Sequence, residues 1–583
     1  MPESVKALVA FPSQELMKPF VPMILAALSA ASTAHGITYE AWQAQVFTVG
    51  EAANPLVGGD LADPDQDGFN NLLEYALKGD PKTANTALMP TASKAANEAG
   101  ALHYTRRREA LDLDYIVEVS NDLVTWHSGF ANVWTTDAVP NAYETANGVA
   151  LVITDHVTAT SQLAASGKQF MRLKVIRSPR AGIKAAITAD GNNPTTLTLN
   201  SVVPSGPYAG AITQHPIFTP HETRYLLNWY FAARGLESFV ETHPDMCKAL
   251  ILAYLRNLDV ENGQTTFRIH DIYVLSDKVN QGAPDWSFDF WCHSDSDDSY
   301  AAGVLLLAGK LKRLYPNDDW LASATLTPDI TVLQRLKDIA YVNFFIQAKN
   351  EQVVEHLGGP IIANRSIKVF QNGHSNISDP RCVPEGDPLQ VTNYPVGFLM
   401  DNVHVWAALN EFTTALEIIE GTSSDVAYFK GWRDQQLANI HSVFWDTAQQ
   451  AWRIDDQTQP GTNILFPAQT DPFYAALHCQ LYPELYGMPY PGNSIETQRR
   501  YNMAWKWVID HMPNWTESEA WPSGVNDDKF SHLEIAVVAA MHGEKQMVED
   551  FLNMARGRWL PGGTFPNGTV SEQIGYWQLL VGH

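Results

Sequence analysis

The chain has 583 residues, 45% of them hydrophobic and 18% charged, so a sizeable core is available and global disorder or a collagen-like repeat is excluded. At roughly 150 residues per domain, that length implies several units. A formal charge of −25, with no Lys/Arg-rich run, repels phosphate backbones, and nucleic acid is not an expected partner.

The N-terminus places Lys18 before an apolar run from Phe20 that closes in the small residues Ala30-Ala-Ser-Thr-Ala34. That order reads as a secretory signal peptide over residues 1–36, with Met17 as a more conventional start and cleavage after Ala31 or Ala34. An N-terminal core helix is the other reading. A signal peptide implies a secreted, periplasmic or cell-surface protein. No stretch approaches the ~20 continuous apolar residues of a membrane span.

Residues 37–90 read as short helices around an acidic loop. Within it, Asp63-Pro-Asp65-Gln-Asp67-Gly68-Phe69-Asn-Asn71-Leu-Leu-Glu74 satisfies D-x-D-x-D-G-x5-E at every specified position. Calcium takes six to eight oxygens, which this spacing supplies. Asp63, Asp65 and Asp67 wrap the ion, Gly68 permits the turn, and the Phe69 carbonyl and Asn71 extend the ligand set. Glu74 then closes the shell bidentately from a helix. A solvated acidic turn capping the helix is the alternative. The segment Asp63–Pro81 resembles the calcium-loop module of exported verrucomicrobial proteins and half of a dockerin. One loop stands where a dockerin has two, so the resemblance implies a structural ion that stiffens a domain junction.

Residues 91–177 change texture. Tyr115–Ser120, Val149–Thr154 and Phe170–Val175 alternate apolar and polar, with Asn121-Asp122 and Asn147-Gly148 as turns. This pattern predicts a small antiparallel β-sandwich, and the region resembles the sandwich that accompanies the calcium module. Trp126 is a candidate glycan platform or a core residue. Residues 178–215, rich in Gly, Pro, Ser and Thr, read as a linker lying on the next domain.

From 216 to 583 the chain is helical in texture, with eleven candidate helices. The first two are expected at Pro220–Arg234 and Leu236–Leu258. Val304–Ala308 and Ile535–Ala540 are apolar nearly all round, whereas Val332, Leu336, Ile339 and Val342 mark one face only. Inner helices shielded by outer ones produce that contrast. The expected fold is therefore multidomain and mainly α, with a C-terminal (α/α)6 toroid; a helical solenoid competes, although no fixed-period motif supports it. The four cysteines, Cys247, Cys292, Cys382 and Cys479, form no CxxC pair. They allow three disulfide pairings or free buried thiols.

Two segments carry the chemistry. Trp291-Cys-His293-Ser-Asp295-Ser-Asp297-Asp298-Ser-Tyr300 opens a helix with three acids in four residues. These cannot all ionise cheaply, and one raised pKa makes a general acid; helix capping is the structural alternative. The run resembles the D-x-D-x-x-[IM]-A-x-[AS] signature of inverting endoglucanases, xylanases and chitosanases built on an α/α toroid. Asp295, Asp297 and Ala301 fall on matching positions, and Tyr300 and Gly303 depart from it. The second segment, Asn567-Gly-Thr-Val-Ser571-Glu572-Gln573, resembles the N-G-S-x-S-E-Q run of glucoamylases, which implies that Glu572 is the base activating water. A cap around Ser571 is the alternative.

Further acids are Asp401, in a Met-Asp-Asn start similar to that of unsaturated glucuronyl hydrolases, and Glu517 and Glu519 between Trp515 and Trp521. Asp471 reads as an N-cap, and His270-Asp271 as a dyad or a structural pair. No G-x-S-x-G elbow, P-loop, dinucleotide fingerprint or HExxH is present, which removes the common esterase, kinase, dehydrogenase and zincin readings.

Together these resemblances imply an exported six-hairpin glycosidase acting on a carbohydrate, with structural calcium and no organic cofactor. Asp297 and Glu572 are the expected acid and base, with Asp295, Asp298 and Asp401 as further catalytic candidates. Trp291, His293, Tyr300, Trp515, Glu517, Glu519 and Trp521 are the expected substrate contacts. A polysaccharide lyase on the same toroid and a non-catalytic glycan-binding surface protein are the rivals. Sugar, linkage and oligomeric state are not legible in the sequence.

Overall fold

The computed structural model describes, with short internal breaks, residues 39–177, 198–213, 224–275, 288–290, 297–346, 398–454, 474–516, 521–522, 529–530, 533–558 and 575–580. The expected signal peptide lies outside them. Multiple domains are present, mainly helical, with small antiparallel sheets. Among the described residues, no helix is long and apolar enough to cross a membrane.

The N-terminal module packs α1 (Tyr39–Val46) against α2 (Asn71–Leu77). Asn70 caps α2 by accepting from the Leu73 amide, and Lys78 ends it in the left-handed region at φ 64°. Tyr39, Trp42, Phe47 and Tyr75 form its aromatic core together with Leu113 and Val175 of the following strands.

Those strands are β1 (Thr91–Lys94), β2 (Gly100–Arg107), β3 (Leu113–Ser120), β4 (Val133–Ala146), β5 (Val149–Ser161) and β6 (Phe170–Arg177). They pair as a sheet of order β1-β2-β5-β4 and a β3–β6 ribbon, all antiparallel. Leu102, Tyr104, Val117, Val157 and Ala159 fill the space between, as period-two alternation requires. Trp126 is half-buried, with the Arg172 guanidinium 3.9 Å from its ring. That cation covers a face a sugar would need.

The helical region departs from expectation at its start. Residues 224–227 form β7 (Arg224–Leu227) rather than helix, pairing with β8 (Ile272–Leu275), which also pairs with β9 (Phe288–Phe290). Helix begins only at α3 (Trp229–Leu236), capped by Asn228. The helix expected over 236–258 breaks before α4 (Pro244–Arg256), because Pro244 at its first turn cannot continue a preceding helix. Then follow α5 (Asp297–Leu314), α6 (Val332–Ala340), α7 (Leu399–Glu420), α8 (Ser424–Phe444), α9 (Tyr474–Leu485), α10 (Ser494–His511), α11 (Leu533–Met541) and α12 (Lys545–Arg558).

Helices α3, α5, α7, α9 and α11 pack on one another in that order, and each leans on an outer partner: α4, α6, α8, α10 or α12. The contrast in hydrophobicity has this cause. Every residue of α5 from Tyr300 to Gly309 is buried, as is all of Leu533–Ala539 in α11, whereas α6 buries one stripe. Helices α5 and α7 run parallel: Ser299 bonds Asp401, each third in its helix, and Gly309 lies against Glu411, each thirteenth. Gly575, in a helical segment, meets the Gly235 backbone of α3, which brings this late part of the chain back to the first inner helix. A Cβ on Gly309 would stand 2.5 Å from the Glu411 carbonyl carbon, and backbone cannot yield there. Gly309→Ala is expected to cost about 1–3 kcal/mol by overpacking, read as a loss in denaturant midpoint.

The sandwich rests on the outer helices. Asn502 of α10 donates to the Thr135 carbonyl at 2.7 Å, and Glu544 accepts from the Phe130 amide at 2.9 Å. In the 178–215 segment, Ala211 and Ile212 join the helical core. Cys247 and Cys479 are buried thiols outside any disulfide, and burial pushes Cys247 up to about 12. Cys292 and Cys382 lie outside the described residues.

Candidate functional site

Because α5 and α7 are parallel, their N-terminal turns meet at one end, where free backbone N–H groups favour anions. Asp298, in the first turn of α5, is fully buried, and next to it the Ser299 hydroxyl donates to Asp401 Oδ1 at 2.9 Å. That bond joins the first turns of α5 and α7. Tyr300 donates its hydroxyl to the Asp271 carboxylate at 2.9 Å, and Asn228 Nδ2 donates to Asp271 at 2.9 Å. Asp271, just before β8, is thus tied to both α3 and α5. On the neighbouring helices, His478 of α9 and Glu534 of α11 share a hydrogen bond, with Glu534 fully buried. The ring of His478 stacks on Tyr482 at 5.1 Å between centroids. Buried Asp271, Asp298 and Asp401 are thus linked through Asn228, Ser299 and Tyr300 where α3, α5 and α7 begin, and Glu534 is buried in the first turn of α11.

Deeper in the ring, Arg234 donates to the hydroxyls of Tyr230, Tyr482 and Tyr576. Beside it Lys310 meets Glu237 at 3.1 Å, and His404 lies 3.8 Å from the same carboxylate. Burial alone would raise the pKa of Glu237, but Lys310, His404 and Arg234 outweigh it and hold the carboxyl at about 2. A carboxylate depressed in the folded state stabilises above its unfolded pKa, and that contribution is lost as pH falls through the folded value. The melting-temperature gap between wild type and Glu237→Gln should accordingly be full above pH ~4.5 and shrink toward pH ~2. A gap unchanged across that window would contradict the assignment.

The second site is the loop at residues 63–74. Asp63, Asp65 and Asp67 each place a carboxylate oxygen within 4.8 Å of the others. The Gly68 amide donates to Asp63 at 3.0 Å and the Phe69 amide to Asp67 at 2.8 Å, folding the loop around the cluster. Gly68, at φ 97°, occupies the left-handed region that the turn needs. Glu74 is fully buried, and neither of its oxygens has a hydrogen-bond partner. Burial, then Asp67, Asp65, Asp80 and Asp63, push Glu74 up to about 7. Asp63 Oδ1, Asp65 Oδ2 and Asn71 Oδ1 are also buried without partners, while the Asn71 amide donates to Val57 and Gly59. So many unpartnered hard oxygens under mutual repulsion fit a hard divalent cation.

Of the residues expected to act on substrate, Asp298 lies in the first turn of α5 and Asp401 in the first turn of α7, where the neighbouring Ser299 bonds it. Asp297 opens α5, with its side chain outside the described set. Trp291, His293, Asp295, Glu517, Glu519, Glu572, His270 and Asp471 are outside it, as is the Trp521 side chain. Two expected contacts lie in the core. Trp515 is fully buried, 6.4 Å from Trp505 and 5.3 Å from Phe551 between ring centroids, which leaves no face for a sugar. Tyr300 is fully buried with its hydroxyl on the Asp271 carboxylate. His478 and Glu534 were not found by sequence reasoning; they lie 56 residues apart and form no local motif.

No family model matches the chain, and no curated protein matches its sequence. Among solved structures, a rhamnose-bound rhamnosidase from Klebsiella oxytoca aligns over 84% of this chain and 88% of its own, at 9% identity and a TM-score of 0.35. A GH78 rhamnosidase of Bacillus sp. GL1 aligns over 85% and 47%, at 12% identity and TM-score 0.37. A GH63 mannosylglycerate hydrolase from Thermus thermophilus aligns over 68% and 99%, at 11% identity and TM-score 0.35. The functional reading rests on the chain's own residues.

Proposed function

We propose that the chain is an exported glycoside hydrolase on an (α/α)6 toroid, cleaving a poly- or oligosaccharide with inversion. The observation that supports it is the grouping of buried Asp271, Asp298 and Asp401, linked through Asn228, Ser299 and Tyr300 where α3, α5 and α7 begin. Glycosidic hydrolysis needs one carboxylic acid to protonate the leaving oxygen and one carboxylate to take a proton from the attacking water. Asp297, crowded by Asp295 and Asp298 in sequence, is the acid, and Glu572 is the base. In this reading a structural calcium ion sits in the Asp63–Glu74 loop.

A lyase reading draws on one observation: a histidine oriented by a buried carboxylate, His478 on Glu534, is the arrangement of a proton-abstracting base. Incubation with neutral and acidic polysaccharides separates the two. Hydrolysis releases reducing ends without new ultraviolet absorbance, whereas elimination yields an absorbing C=C bond beside a carboxylate. Glycan binding with neither product, unchanged in Asp297→Asn and Glu572→Gln, would leave a binding protein.

A further inference from the structure

The helix that carries Glu74 is finished by the β-sandwich. The last carbonyls of a helix have no intrahelical donor and need one from elsewhere. In α2, the Glu74 carbonyl accepts from the Gly79 amide at 2.7 Å, within the module. The next two carbonyls are met from the sandwich: Arg107 Nε of β2 donates to Tyr75 O at 2.5 Å, and the Tyr115 hydroxyl of β3 donates to Ala76 O at 2.7 Å. Arg107 is itself buried, its guanidinium 5.0 Å from the Tyr75 ring, and its amide donates to the Tyr115 oxygen at 3.2 Å. The acidic loop feeds the N-terminal end of this two-turn helix, and the sandwich holds its C-terminal end.

From this arrangement we infer that cation binding in the 63–74 loop and docking of the β-sandwich are one coupled event, with Arg107 and Tyr115 as positioning residues for Glu74. The inference rests on the calcium reading of the loop. The buried, unpartnered carboxylate of Glu74 must be held within reach of Asp63, Asp65 and Asp67, and a helix of seven residues is too short to hold itself. Fixing its C-terminal carbonyls fixes where that carboxylate stands. Coupling is reciprocal, so an ion that orders the loop also tightens the sandwich contact.

The test is calorimetric titration of the full chain with calcium alone, beside hydrogen exchange in calcium and in chelator. Tyr115→Phe removes one hydroxyl and no ligand; it should weaken calcium binding at least about fivefold, the lower end of ordinary coupling. Arg107→Met should weaken it further. Calcium should also slow exchange at β2 and β3 amides in wild type, an effect lost in Tyr115→Phe. Wild-type calcium affinity in a folded Tyr115→Phe protein, with binding abolished in Asp65→Ala, would overturn the coupling and leave the calcium site standing. Unaltered titration in Asp65→Ala would overturn the calcium reading itself.

Discussion

Replacing Glu572 with glutamine, or Asp297 with asparagine, is expected to lower hydrolysis at least ~100-fold, the ordinary scale for losing a positioned acid or base. Each change keeps the shape of the side chain and removes its proton chemistry, so far-ultraviolet circular dichroism and melting should stay close to wild type. A carboxylate base must be ionised to take the proton of the attacking water, and the glutamine amide cannot do so. An acid among neighbouring carboxylates keeps its proton longer. The two substitutions should not multiply, because acid and base act in one transition state. Near-wild-type turnover in Glu572→Gln would move the assignment to Asp401, Glu517, Glu519 and Glu534.

Removing calcium should have the largest effect on stability. An ion that binds only the folded state stabilises by RT ln(1 + [L]/Kd), about 4 kcal/mol at a thousandfold excess over Kd. Chelator should lower the melting temperature of wild type, and added calcium should restore it. Asp65→Ala should melt at the chelated temperature in either condition while keeping turnover nearly intact, because the loop lies in a different module from the ring. Identical melting of wild type with and without calcium would refute the site.

The inner and outer helices were legible because solvent leaves a mark on sequence. Val304–Ala308 reads as apolar all round and is buried all round, whereas Val332, Leu336 and Ile339 show one face to the core. Strands β3, β5 and β6 were legible for the same reason at period two, whereas β4 (Val133–Ala146) was not. Where pairing is remote, local pattern loses: residues 224–227 had helical texture, yet they find their partners 45 or more residues away in β8. The loop at 63–74 was visible because its oxygens follow one another along the chain. His478 and Glu534 meet only through the packing of α9 on α11, so no window of sequence contains both. Trp515 is followed by two acids and another tryptophan, a spacing that suits a sugar platform. Its burial against Trp505 and Phe551 is a tertiary fact that composition does not carry.

Inversion is the sharpest consequence of the proposed pair. An inverting site leaves room for a water between acid and base, with carboxyl groups ~6.5–9.5 Å apart, and makes the product in a single displacement. Proton NMR of the first anomer released from a polysaccharide of defined linkage, recorded before mutarotation, reads this directly. The account predicts an anomeric signal opposite to that of the bond cleaved. A product of retained configuration, or an unsaturated product in place of a new reducing end, would contradict it.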